Sequence, residues 1–454
     1  MKKVVIANRG EIACRVIRSC KALGLSTVAL YSEADAKAKH VAEADEAQPI
    51  GPAPAKQSYL VIDNILAAAK SAGADALHPG YGFLAENSGF ARRVAAAGMT
   101  WIGPTPDSID DMGDKERARL LAKAAGVPVL PGSARFAPGE TAGLEEAARE
   151  VDFPLLVKAS AGGGGIGMRR VDKPEDLVKT VEATQALAGK SFGDGTIYLE
   201  RLVTRARHVE IQVFGFGDGN AVHMFERECS VQRRFQKIIE ESPSPGITPA
   251  MRAAMAKAAV ALVRQERYRG AGTIEFVVDD ETKKYYFLEM NTRIQVEHPV
   301  TEMITSLDLV GLQVRLARGD DLSALTQDSI RPSGHSIECR LYAENPAMNF
   351  LPSPGLLKRF QLPASENGLR IDTGVREGDQ ITFHYDPMIA KMVSHGSDRQ
   401  DAIGRMLGAL GAVDVEGVVT NAAFLRKVLD HPAFRAGDTH TGFVAEHGNA
   451  LLKG

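Results

Sequence analysis

Polar side chains of complementary chemistry recur at every second position of the stretch Tyr285–Pro299. The stretch begins as an apolar strand, and side chains of a strand point alternately to its two faces, with about 6.5–7 Å between every second residue. One face would therefore carry Glu289, Asn291, Arg293, Gln295 and Glu297. Because burying acids, amides and a cation is costly unless they bind something, this row predicts a site for a metal ion and an anion.

A second acid is expected opposite the first member of this row. The run Gly272–Val278 also alternates, and the turn-forming residues Asp279–Lys284 separate it from the next strand. A hairpin centred near Thr282 places Glu275 opposite Glu289, where like charges repel. Mg²⁺, which usually takes one or two carboxylates together with phosphate oxygens, would remove that repulsion. For either acid alone a solvated strand face is the better interpretation, whereas the whole row favours a site.

Composition excludes several classes of protein. The chain has 454 residues, of which 44% are hydrophobic and 24% charged, and its net charge is -3. This length predicts about three domains. The charge gives no general attraction to nucleic acid or to anionic membranes, and no apolar run approaches the ~20 residues of a membrane helix. We therefore expect a globular protein with neither a nucleic acid nor a membrane as partner.

The cysteines and the N-terminus indicate the compartment. Cys14, Cys20, Cys229 and Cys339 lack metal-site spacing and the histidines are scattered, so we expect reduced thiols and no zinc site. The first strand reaches the polar Asn8 too early for the apolar core of a signal peptide. A cytoplasmic protein is the simplest interpretation.

Strand and helix patterns alternate in the first part of the chain. Strands are predicted at 4–7, 27–31, 76–78 and 101–103, and helices from about 12 to 23, 58 to 72 and 88 to 97. Such alternation predicts a parallel sheet, and ligands of these sheets gather at the carboxyl ends of the strands. The loops Asn8–Gly10 and His78–Phe83 are therefore candidate site loops, although a tight turn is the better interpretation of either alone.

Prolines and short segments mark further divisions. Pro128 begins a break, after which residues 130–202 are predicted to form a small unit of their own. Thr248 and Pro249 fit the start of a helix that runs to about Arg267. After Pro332 a third region of short alternating segments begins, and a helix is expected near 399–410.

A glycine tract, residues 161–167, follows a short strand that ends near Lys158. Glycine lets backbone N–H groups approach phosphates closely. The tract contains the G-x-G-x-x-G pattern, but a dinucleotide fold needs a helix directly afterwards, and the strand Met168–Val171 is expected instead. We predict a flap over a triphosphate with Lys158 reaching the phosphates; a structural glycine loop is the alternative. The P-loop-like segment 184–191 lacks the first glycine and a preceding strand, so we reject it and expect Lys190 in solvent.

The run Glu226–Lys237 is dense in charge beside apolar strands. A charged run is usually a solvated face. Lys237 is singled out because a bicarbonate or phosphate pocket needs cations beside the metal site. Strand edges near Tyr198–Leu202 and His208–Val213 could offer backbone hydrogen bonds to an adenine.

Together these motifs resemble the biotin carboxylase family of the ATP-grasp superfamily, and the match covers nearly the whole chain. The stretch Glu289–Pro299 is its most specific carrier. The other matching segments are 6–13, 78–84, 112–115, Lys158 with its glycine tract, 207–210, 230–234, 351–355 and 385–391. The resemblance implies an α/β fold with an α+β ATP-grasp core. Its parts would be an N-terminal parallel-sheet domain (1–112), an ATP-grasp domain (113–332) with a glycine-rich lid (about 130–202), and a C-terminal mixed α/β domain (333–447).

The resemblance also implies roles for individual residues. ATP would be held by Lys115, Lys158, Gly164, Gly165, Glu200, the main chain of Leu202, His208 and Gln232. The ligands of Mg²⁺ or Mn²⁺ would be Glu275, Glu289 and Asn291. Bicarbonate would be held by Lys237, Arg293, Gln295 and the main chain of Val296. Glu297 would deprotonate bicarbonate, Arg340 would steady the charge on the biotin ureido oxygen, and Tyr81 and Asp386 would line the biotin side.

The implied activity is ATP-dependent carboxylation of biotin by bicarbonate through carboxyphosphate. This is the first half-reaction of a biotin-dependent carboxylase, here of the acetyl-CoA or another acyl-CoA carboxylase type. The chain has no biotin-attachment motif of the Ala-Met-Lys-Met type, so biotin is expected on a separate carrier, or the chain is a fragment of a longer subunit. The implied partners are a biotin carboxyl carrier protein, a carboxyltransferase subunit and a second copy of the chain in a homodimer.

Departures from the family pattern leave alternatives. Ile166 stands where Lys or Arg is common, Phe235 where His is common, and Ala161 where Gly is common. The glycine tract is more similar to that of urea carboxylases, whereas Met112–Lys115 is more similar to acyl-CoA carboxylases, so the final acceptor stays open. The alternatives are another ATP-grasp ligase that joins a carboxylate to an amine, and a nucleotide-binding regulatory subunit with a decayed site.

Overall fold

A computed structural model describes residues 1–160 and 167–452 of the chain. The chain divides into two compact units. The larger unit comprises Met1–Val127, Arg207–Phe276 and Glu289–Gly454, and the smaller comprises Pro128–Ala206 and Val277–Leu288. Among the described residues, no helix is both long and apolar enough to cross a membrane.

The N-terminal part of the larger unit is a five-stranded parallel sheet in the order β3-β2-β1-β4-β5, as the alternation predicts. Its strands are β1 (Lys3–Ile6), β2 (Ser26–Tyr31), β3 (Glu46–Pro49), β4 (Ala76–His78) and β5 (Thr100–Trp101). The helices of this part are α1 (Gly10–Ala22), α2 (Lys39–Glu43), α3 (Ile62–Ser71), α4 (Ser88–Ala96), α5 (Pro106–Gly113) and α6 (Lys115–Ala124).

The two candidate loops of this sheet meet, because they follow the neighbouring strands β1 and β4. Asn8 Nδ2 donates hydrogen bonds to the carbonyl oxygens of Pro79 (2.8 Å) and Tyr81 (2.7 Å). Gly80 lies in the left-handed region, and a Cβ there would sit 2.9 Å from Asn8 Nδ2. A glycine is therefore required for this close approach, and the loops form one rim at the carboxyl edge of the sheet.

The smaller unit carries a four-stranded sheet in the order β6-β9-β7-β8. Its elements are β6 (Gly132–Phe136), α7 (Leu144–Val151), β7 (Leu155–Ala159), β8 (Met168–Val171), α8 (Leu177–Phe192) and β9 (Ile197–Arg201). β7 and β8 pair antiparallel, so a strand does follow the glycine tract. The predicted ATP ligands Gly164 and Gly165 lie outside the described residues, as does Ile166. The rejected P-loop-like segment forms part of α8, and Lys190 is exposed there.

An eight-stranded sheet in the order β14-β13-β10-β11-β12-β15-β22-β20 follows in the chain. In chain order, the elements from β10 to β15 are β10 (Ala206–Phe216), β11 (Ala221–Arg233), β12 (Gln236–Ser242), α9 (Pro249–Gln265), β13 (Arg269–Asp279), β14 (Tyr285–Asn291), α10 (His298–Thr305), α11 (Leu309–Arg318) and β15 (His335–Tyr342). α9 begins as predicted, because the Thr248 side chain accepts a hydrogen bond from the Met251 N–H. β13 and β14 are neighbours, which confirms the predicted hairpin partners.

Short strands and helices complete the C-terminal part. They are β16 (Glu344–Asn345), β17 (Leu351–Pro352), β18 (Gly355–Leu356), β19 (Arg359–Gln361), β20 (Leu369–Asp372), β21 (Gln380–Ile381), β22 (Met388–Gly396), α12 (Arg399–Gly411), β23 (Asp414–Glu416), α13 (Ala422–Asp430), α14 (Pro432–Arg435) and α15 (Phe443–Leu452). α12 and α13 cover one face of β15 and β22 with apolar side chains, such as Ile403 and Leu425. The other face of β15 is the one that carries charged groups.

The predicted alternation of the row that begins at Glu289 is wrong beyond Asn291. β14 ends there, and residues 292–297 form an irregular segment that leads into α10. Ile294 is fully buried in a core cluster with Ile12 and Phe214, which anchors the segment. A helix begins at His298, with Pro299 in its first turn. The row therefore converges by a bend of the chain rather than by strand periodicity.

Candidate active site

Lys237 is the centre of a cluster of acids in the larger unit. Its Nζ donates to Glu210 Oε2 (2.7 Å), Glu275 Oε1 (2.8 Å) and Glu297 Oε1 (2.7 Å). Lys237 lies on β12, Glu210 on β10 and Glu275 on β13, so the sheet brings together charges that lie far apart in sequence. Since 13% of the Lys237 side chain is exposed, a small anion could reach this cation from one side.

Glu275 is held by amides as well as by cations. Its Oε1 also accepts hydrogen bonds from Asn291 Nδ2 (3.0 Å) and Gln295 Nε2 (2.9 Å). His208 Nε2 lies 2.9 Å from Glu275 Oε2. Burial by itself would raise the pKa of Glu275, but Lys237 and His208 outweigh it, and the pKa lies well below its usual range. Glu275 is therefore ionised at neutral pH.

Glu289 stands in the opposite electrostatic situation. Burial and the charge of Glu275 raise the pKa of Glu289 above its usual value. A raised pKa is the direction expected from the like-charge repulsion predicted for these two acids. A divalent cation beside them would relieve it, and two carboxylates with the amide oxygen of Asn291 are the hard oxygen donors that Mg²⁺ prefers. The residues present fit such an ion.

Glu297 joins the acid cluster to a second cation. Its Oε2 accepts a hydrogen bond from Arg340 Nη2 (3.1 Å), while its Oε1 is held by Lys237. Burial acts to raise the pKa of Glu297, but Lys237 and Arg340 lower it far below its usual range. The carboxylate is 2% exposed and remains ionised, so it is an available proton acceptor at neutral pH.

Arg293 lies beside the metal-binding candidates. Its Nη2 donates to Asn291 Oδ1 (2.7 Å), and its Nε donates to Glu86 Oε2 (2.8 Å). The Val296 carbonyl accepts from the buried Lys391 Nζ (2.8 Å), which fixes the end of the irregular segment. The residues of the predicted row thus lie around a single site, although those after Asn291 belong to an irregular segment rather than to a strand.

A cavity of about 520 Å³ adjoins Glu297 through Arg340 and Val296. Tyr81 and Asp386 line it, as the biotin-side prediction requires. Its remaining wall includes Asn8, Arg9, Gly10, Glu11, Ile12, Gly82, Phe83, Gln236, Tyr342, Phe383, His384, Tyr385 and Met388. The Tyr81 hydroxyl donates to Glu11 Oε1, which orients the ring at the rim of the parallel sheet. The candidate loops Asn8–Gly10 and His78–Phe83 therefore both contribute residues to the wall of this cavity.

The predicted ATP residues fall in both units. In the larger unit His208 Nδ1 lies 3.1 Å from Gln232 Nε2, and Lys115 is exposed in the first turn of α6. In the smaller unit Lys158 Nζ donates to Glu200 Oε1 (2.7 Å) on the neighbouring strand. Leu202 follows β9, and its N–H donates to the Pro154 carbonyl (3.0 Å).

Sequence reasoning missed several partners within the site. Glu210 lies in the matching segment 207–210, but the resemblance implies no role for it, and Arg227 lies in the charged run that is usually a solvated face. Arg227 is 0% exposed and donates to Glu210, Gln212, Thr273, Gln295 and Thr301. The apolar residues on either side of Glu226–Glu228, such as Met224 and Val231, were the available signal. Phe235, by contrast, is 81% exposed at the turn after β11.

Sequence profiles of three domain families match the chain. They are described as biotin carboxylase, N-terminal domain (residues 1–109), carbamoyl-phosphate synthase L chain, ATP binding domain (114–325), and biotin carboxylase C-terminal domain (338–446). A biotin carboxylase of Halalkalibacterium halodurans is 49% identical over 449 residues, which cover 98% of each chain. The chain belongs to the biotin carboxylase family.

Other relatives in this family are longer. The methylcrotonoyl-CoA carboxylase subunit alpha of Mus musculus is 48% identical over 99% of the chain, and the match covers 62% of that subunit. The chain therefore spans about three fifths of the length of this relative. A solved biotin carboxylase domain dimer of Hydrogenobacter thermophilus 2-oxoglutarate carboxylase, in complex with MgADP, ADP and bicarbonate, has a TM-score of 0.91 and 44% identity. The structural match covers 99% of that chain and 100% of this chain.

The comparisons confirm the resemblance, the mixed α/β fold with its ATP-grasp part, and membership of a family of ATP-dependent ligases. They also confirm ATP, Mg²⁺, bicarbonate and biotin as the cofactors and substrates with which biotin carboxylases work. Mn²⁺ in place of Mg²⁺ stays a prediction.

Proposed function

We propose that the protein carboxylates biotin carried on a separate carrier protein, using ATP and bicarbonate, with carboxyphosphate as intermediate. The observation that carries this proposal is the position of Glu297. It lies between Lys237, at the acid cluster with the metal-binding candidates, and Arg340, at the 520 Å³ cavity with Tyr81 and Asp386. One carboxylate can thus act where a phosphoryl acceptor and a second substrate meet.

In the proposed first step, Lys237, Arg293, Gln295 and the main chain of Val296 hold bicarbonate. Glu297 removes its proton, a bicarbonate oxygen attacks the γ-phosphorus of ATP, and ADP leaves. A general base works best with a pKa near the working pH. Because bicarbonate brings a negative charge and competes for Lys237, its binding raises the low pKa of Glu297 and makes it a stronger base.

Negative charge accumulates on the phosphoryl group during this attack, and fixed cations stabilise it. We propose that Glu275, Glu289 and Asn291 would hold Mg²⁺, which would supply positive charge against the negative charge of the phosphate oxygens. Lys115, Lys158, Glu200, the main chain of Leu202, His208 and Gln232 are the proposed ATP ligands, together with Gly164 and Gly165. Carboxyphosphate hydrolyses readily, so water must be excluded while it exists.

In the second step the carboxyl group passes to the biotin ureido nitrogen, the bond to the phosphate oxygen breaks, and phosphate leaves with the ureido proton. The ureido N–H is barely acidic until a cation stabilises the negative charge on its oxygen. Arg340 lies at the cavity wall and supplies that cation in the proposed mechanism. Tyr81 and Asp386 position the biotin ring.

Bicarbonate and free biotin together should determine the rate of ADP formation. We expect ADP release from MgATP to require bicarbonate and to increase with free biotin, because carboxyphosphate formation precedes carboxyl transfer. A coupled ADP assay with and without each substrate measures this, and Glu281→Gln on the exposed β13–β14 turn is the matched control variant. Stimulation by another carboxylic acid, with no effect of biotin, would instead support a different ATP-grasp ligase.

The final acceptor is proposed to be an acyl-CoA thioester, with acetyl-CoA or a longer acyl-CoA as candidates. The similarity to methylcrotonoyl-CoA carboxylase alpha subunits supports an acyl-CoA, whereas the urea-carboxylase-like glycine tract supports urea as the alternative. We further propose a carrier protein and a carboxyltransferase subunit as partners and a homodimer as the assembly. The domain boundaries 1–112, 113–332 and 333–447 and a cytoplasmic location stay predictions.

The complex that co-purifies with the chain decides the acceptor. We expect it to transfer carboxyl groups from radiolabelled bicarbonate to one of acetyl-CoA, propionyl-CoA or 3-methylcrotonoyl-CoA, because the acceptor binds the partner subunit rather than this chain. Incorporation into the thioesters is measured as acid-stable radioactivity, and incorporation into urea is measured under alkaline conditions, because N-carboxyurea loses CO₂ in acid. Incorporation with urea and with none of the thioesters would overturn the acyl-CoA proposal and leave biotin carboxylation intact.

A further inference from the structure

Two acids face each other directly in the core of the eight-stranded sheet. β12 and β15 are antiparallel neighbours, and their register places Glu240 opposite Glu338. Both residues are 0% exposed. Side chains directly opposite in an antiparallel pair lie on the same face with Cβ atoms about 4.5–5.5 Å apart, so two charged carboxylates here would repel. The proposed reaction steps use neither acid.

Arg340 connects this pair to the candidate active site. It lies two positions after Glu338 on β15, and therefore on the same face. Its Nη2 is 2.6 Å from Glu240 Oε1 and 3.1 Å from Glu297 Oε2. The same guanidinium nitrogen thus lies between an unassigned acid and the proposed base. Among the described residues, neither Glu240 oxygen has a partner with hydrogen-bond alignment, so the contact with Arg340 is chiefly ionic.

The surroundings of Glu338 differ from those of Glu240. Within the described part of the chain, neither of its oxygens has a hydrogen-bond partner. Lys391 stands opposite Arg340 on β22, and its Nζ is engaged by the Val296 carbonyl (2.8 Å) and Glu11 Oε2 (3.1 Å). A fully buried carboxylate with no hydrogen-bond donor and no direct cation is costly to ionise, and such a group keeps its proton instead.

Different charged and titratable groups surround the two acids. Glu240 faces Arg340, Glu297, Lys237, the Tyr342 hydroxyl and the thiols of Cys229 and Cys339. Glu338 faces Lys391, Glu240, Arg340, Glu297 and the Cys339 thiol. Burial raises the pKa of Glu338 well above its usual value, and Glu240 raises it further. Burial also raises the pKa of Glu240, against the effect of Arg340, to about 7.

We propose that Glu240 and Glu338 form a carboxyl pair that keeps one proton, on Glu338, at pH 8, and that the single charge of the pair, on Glu240, positions Arg340 beside Glu297. This inference rests on the proposed function, since Arg340 is the cation assigned to biotin. Glu240 and Glu338 are positioning residues, because they act through Arg340 and touch no substrate. A second proton on the pair removes the charge that holds Arg340 in place.

The consequence for pH dependence follows from the direction of these shifts. Because the pKa of Glu240 is raised to about 7, its charged form is present above that pH and is lost as the pH falls through it. The base Glu297 has a lowered pKa and stays ionised over the same range. We therefore expect kcat/KM for biotin to decline as the pH falls through about 7, and we assign this expected decline to Glu240.

Infrared spectroscopy tests the proton on Glu338 without any assay of activity. We expect the purified wild-type protein at pH 8 to show the C=O stretch of a protonated, buried carboxylic acid, which shifts in D₂O and disappears in Glu338→Gln. The matched control is Glu241→Gln, the next residue on β12, which is buried and paired with Arg399 and His335. That control should retain the band. A wild-type spectrum without the band at pH 8 overturns the proposal, whatever the enzyme's activity.

A pH–rate comparison tests the role of Glu240. We expect Glu240→Gln to lower kcat/KM for biotin by about 10-fold to 100-fold, the range typical when the partner of a functional side chain is removed. In Glu240→Gln the decline in kcat/KM near pH 7 should be absent, because glutamine cannot carry the charge that positions Arg340. KM for MgATP should stay within a factor of about two, since the ATP contacts are unaltered. Glu338→Gln and Glu241→Gln should keep the wild-type position of the decline.

Comparison of variants removes the contribution of substrate titration, because ATP and bicarbonate are the same in every assay. Free bicarbonate is held saturating at each pH. If Glu240→Gln shows the same decline as the wild type, the positioning role is wrong. If the wild type shows no biotin-dependent turnover at any pH, the proposed function fails instead, and the infrared result still decides whether the pair holds its proton.

Discussion

Glu297→Gln is expected to lower biotin-dependent ADP release by about 10²–10⁴-fold, the usual contribution of a general base. Glutamine keeps the size of the side chain and its contact with Arg340, but it cannot accept the bicarbonate proton. Lys237 also loses one of its three carboxylate partners. The measurement is kcat in the presence of saturating bicarbonate, MgATP and free biotin.

A second isosteric replacement separates loss of the base from loss of a buried acid. Glu302 lies about one turn further along the chain, in α10. Glu302→Gln removes a carboxylate that pairs with Arg15 (2.7 Å) and Arg370 (2.7 Å). It should lower the free energy of unfolding while leaving kcat of the folded protein within a few-fold of the wild type. Unchanged turnover in Glu297→Gln would show that another group removes the proton.

Arg227→Met should lower the free energy of unfolding by about 3–5 kcal/mol, as expected when one partner of a buried charged network is removed. Arg227 Nε lies 2.5 Å from Glu210 Oε1, and Arg227 Nη2 lies 2.6 Å from Gln295 Oε1. Methionine fills much of the same space, but it leaves these acceptors buried without their donor. Urea denaturation followed by circular dichroism measures the change.

Arg234→Met is the matched control for this prediction. Arg234 belongs to the same charged run, but it is exposed at the turn after β11. Its replacement should change the free energy of unfolding by less than about 0.5 kcal/mol, as surface substitutions usually do. Equal effects of the two replacements would mean that the network around Arg227 contributes little to stability.

Several site residues could be predicted because their signal is local. The alternation that starts at Glu289 depends only on neighbouring residues, and the loops at Asn8 and Pro79 follow recognisable parallel strands. The same locality explains the error beyond Asn291. Alternation in sequence does not reveal that Ile294 enters the core or that a helix starts at His298, so the strand was extended too far.

The partners of these residues could not be predicted, because strand pairing brings them from distant parts of the chain. The sequence predicts Arg227 to belong to a solvated run, whereas β11 lies between β10 and β12 in the sheet and Arg227 is fully buried. Glu240 and Glu338 carry no motif, and only the register of β12 with β15 makes them a pair. Burial, which sets their protonation, is likewise a property of the packed sheet.

The sequence by itself determined the family and the residue types of the row Glu289–Glu297, from which it predicts a site for a metal, an anion and a base. Each of these is encoded by residue type at short spacing. Only the tertiary structure decided that Lys237 holds three carboxylates at once and that Arg340 lies between Glu240 and Glu297. The physical reason is that electrostatic energy depends on distance and burial, and both are set by contacts between strands that are remote in sequence.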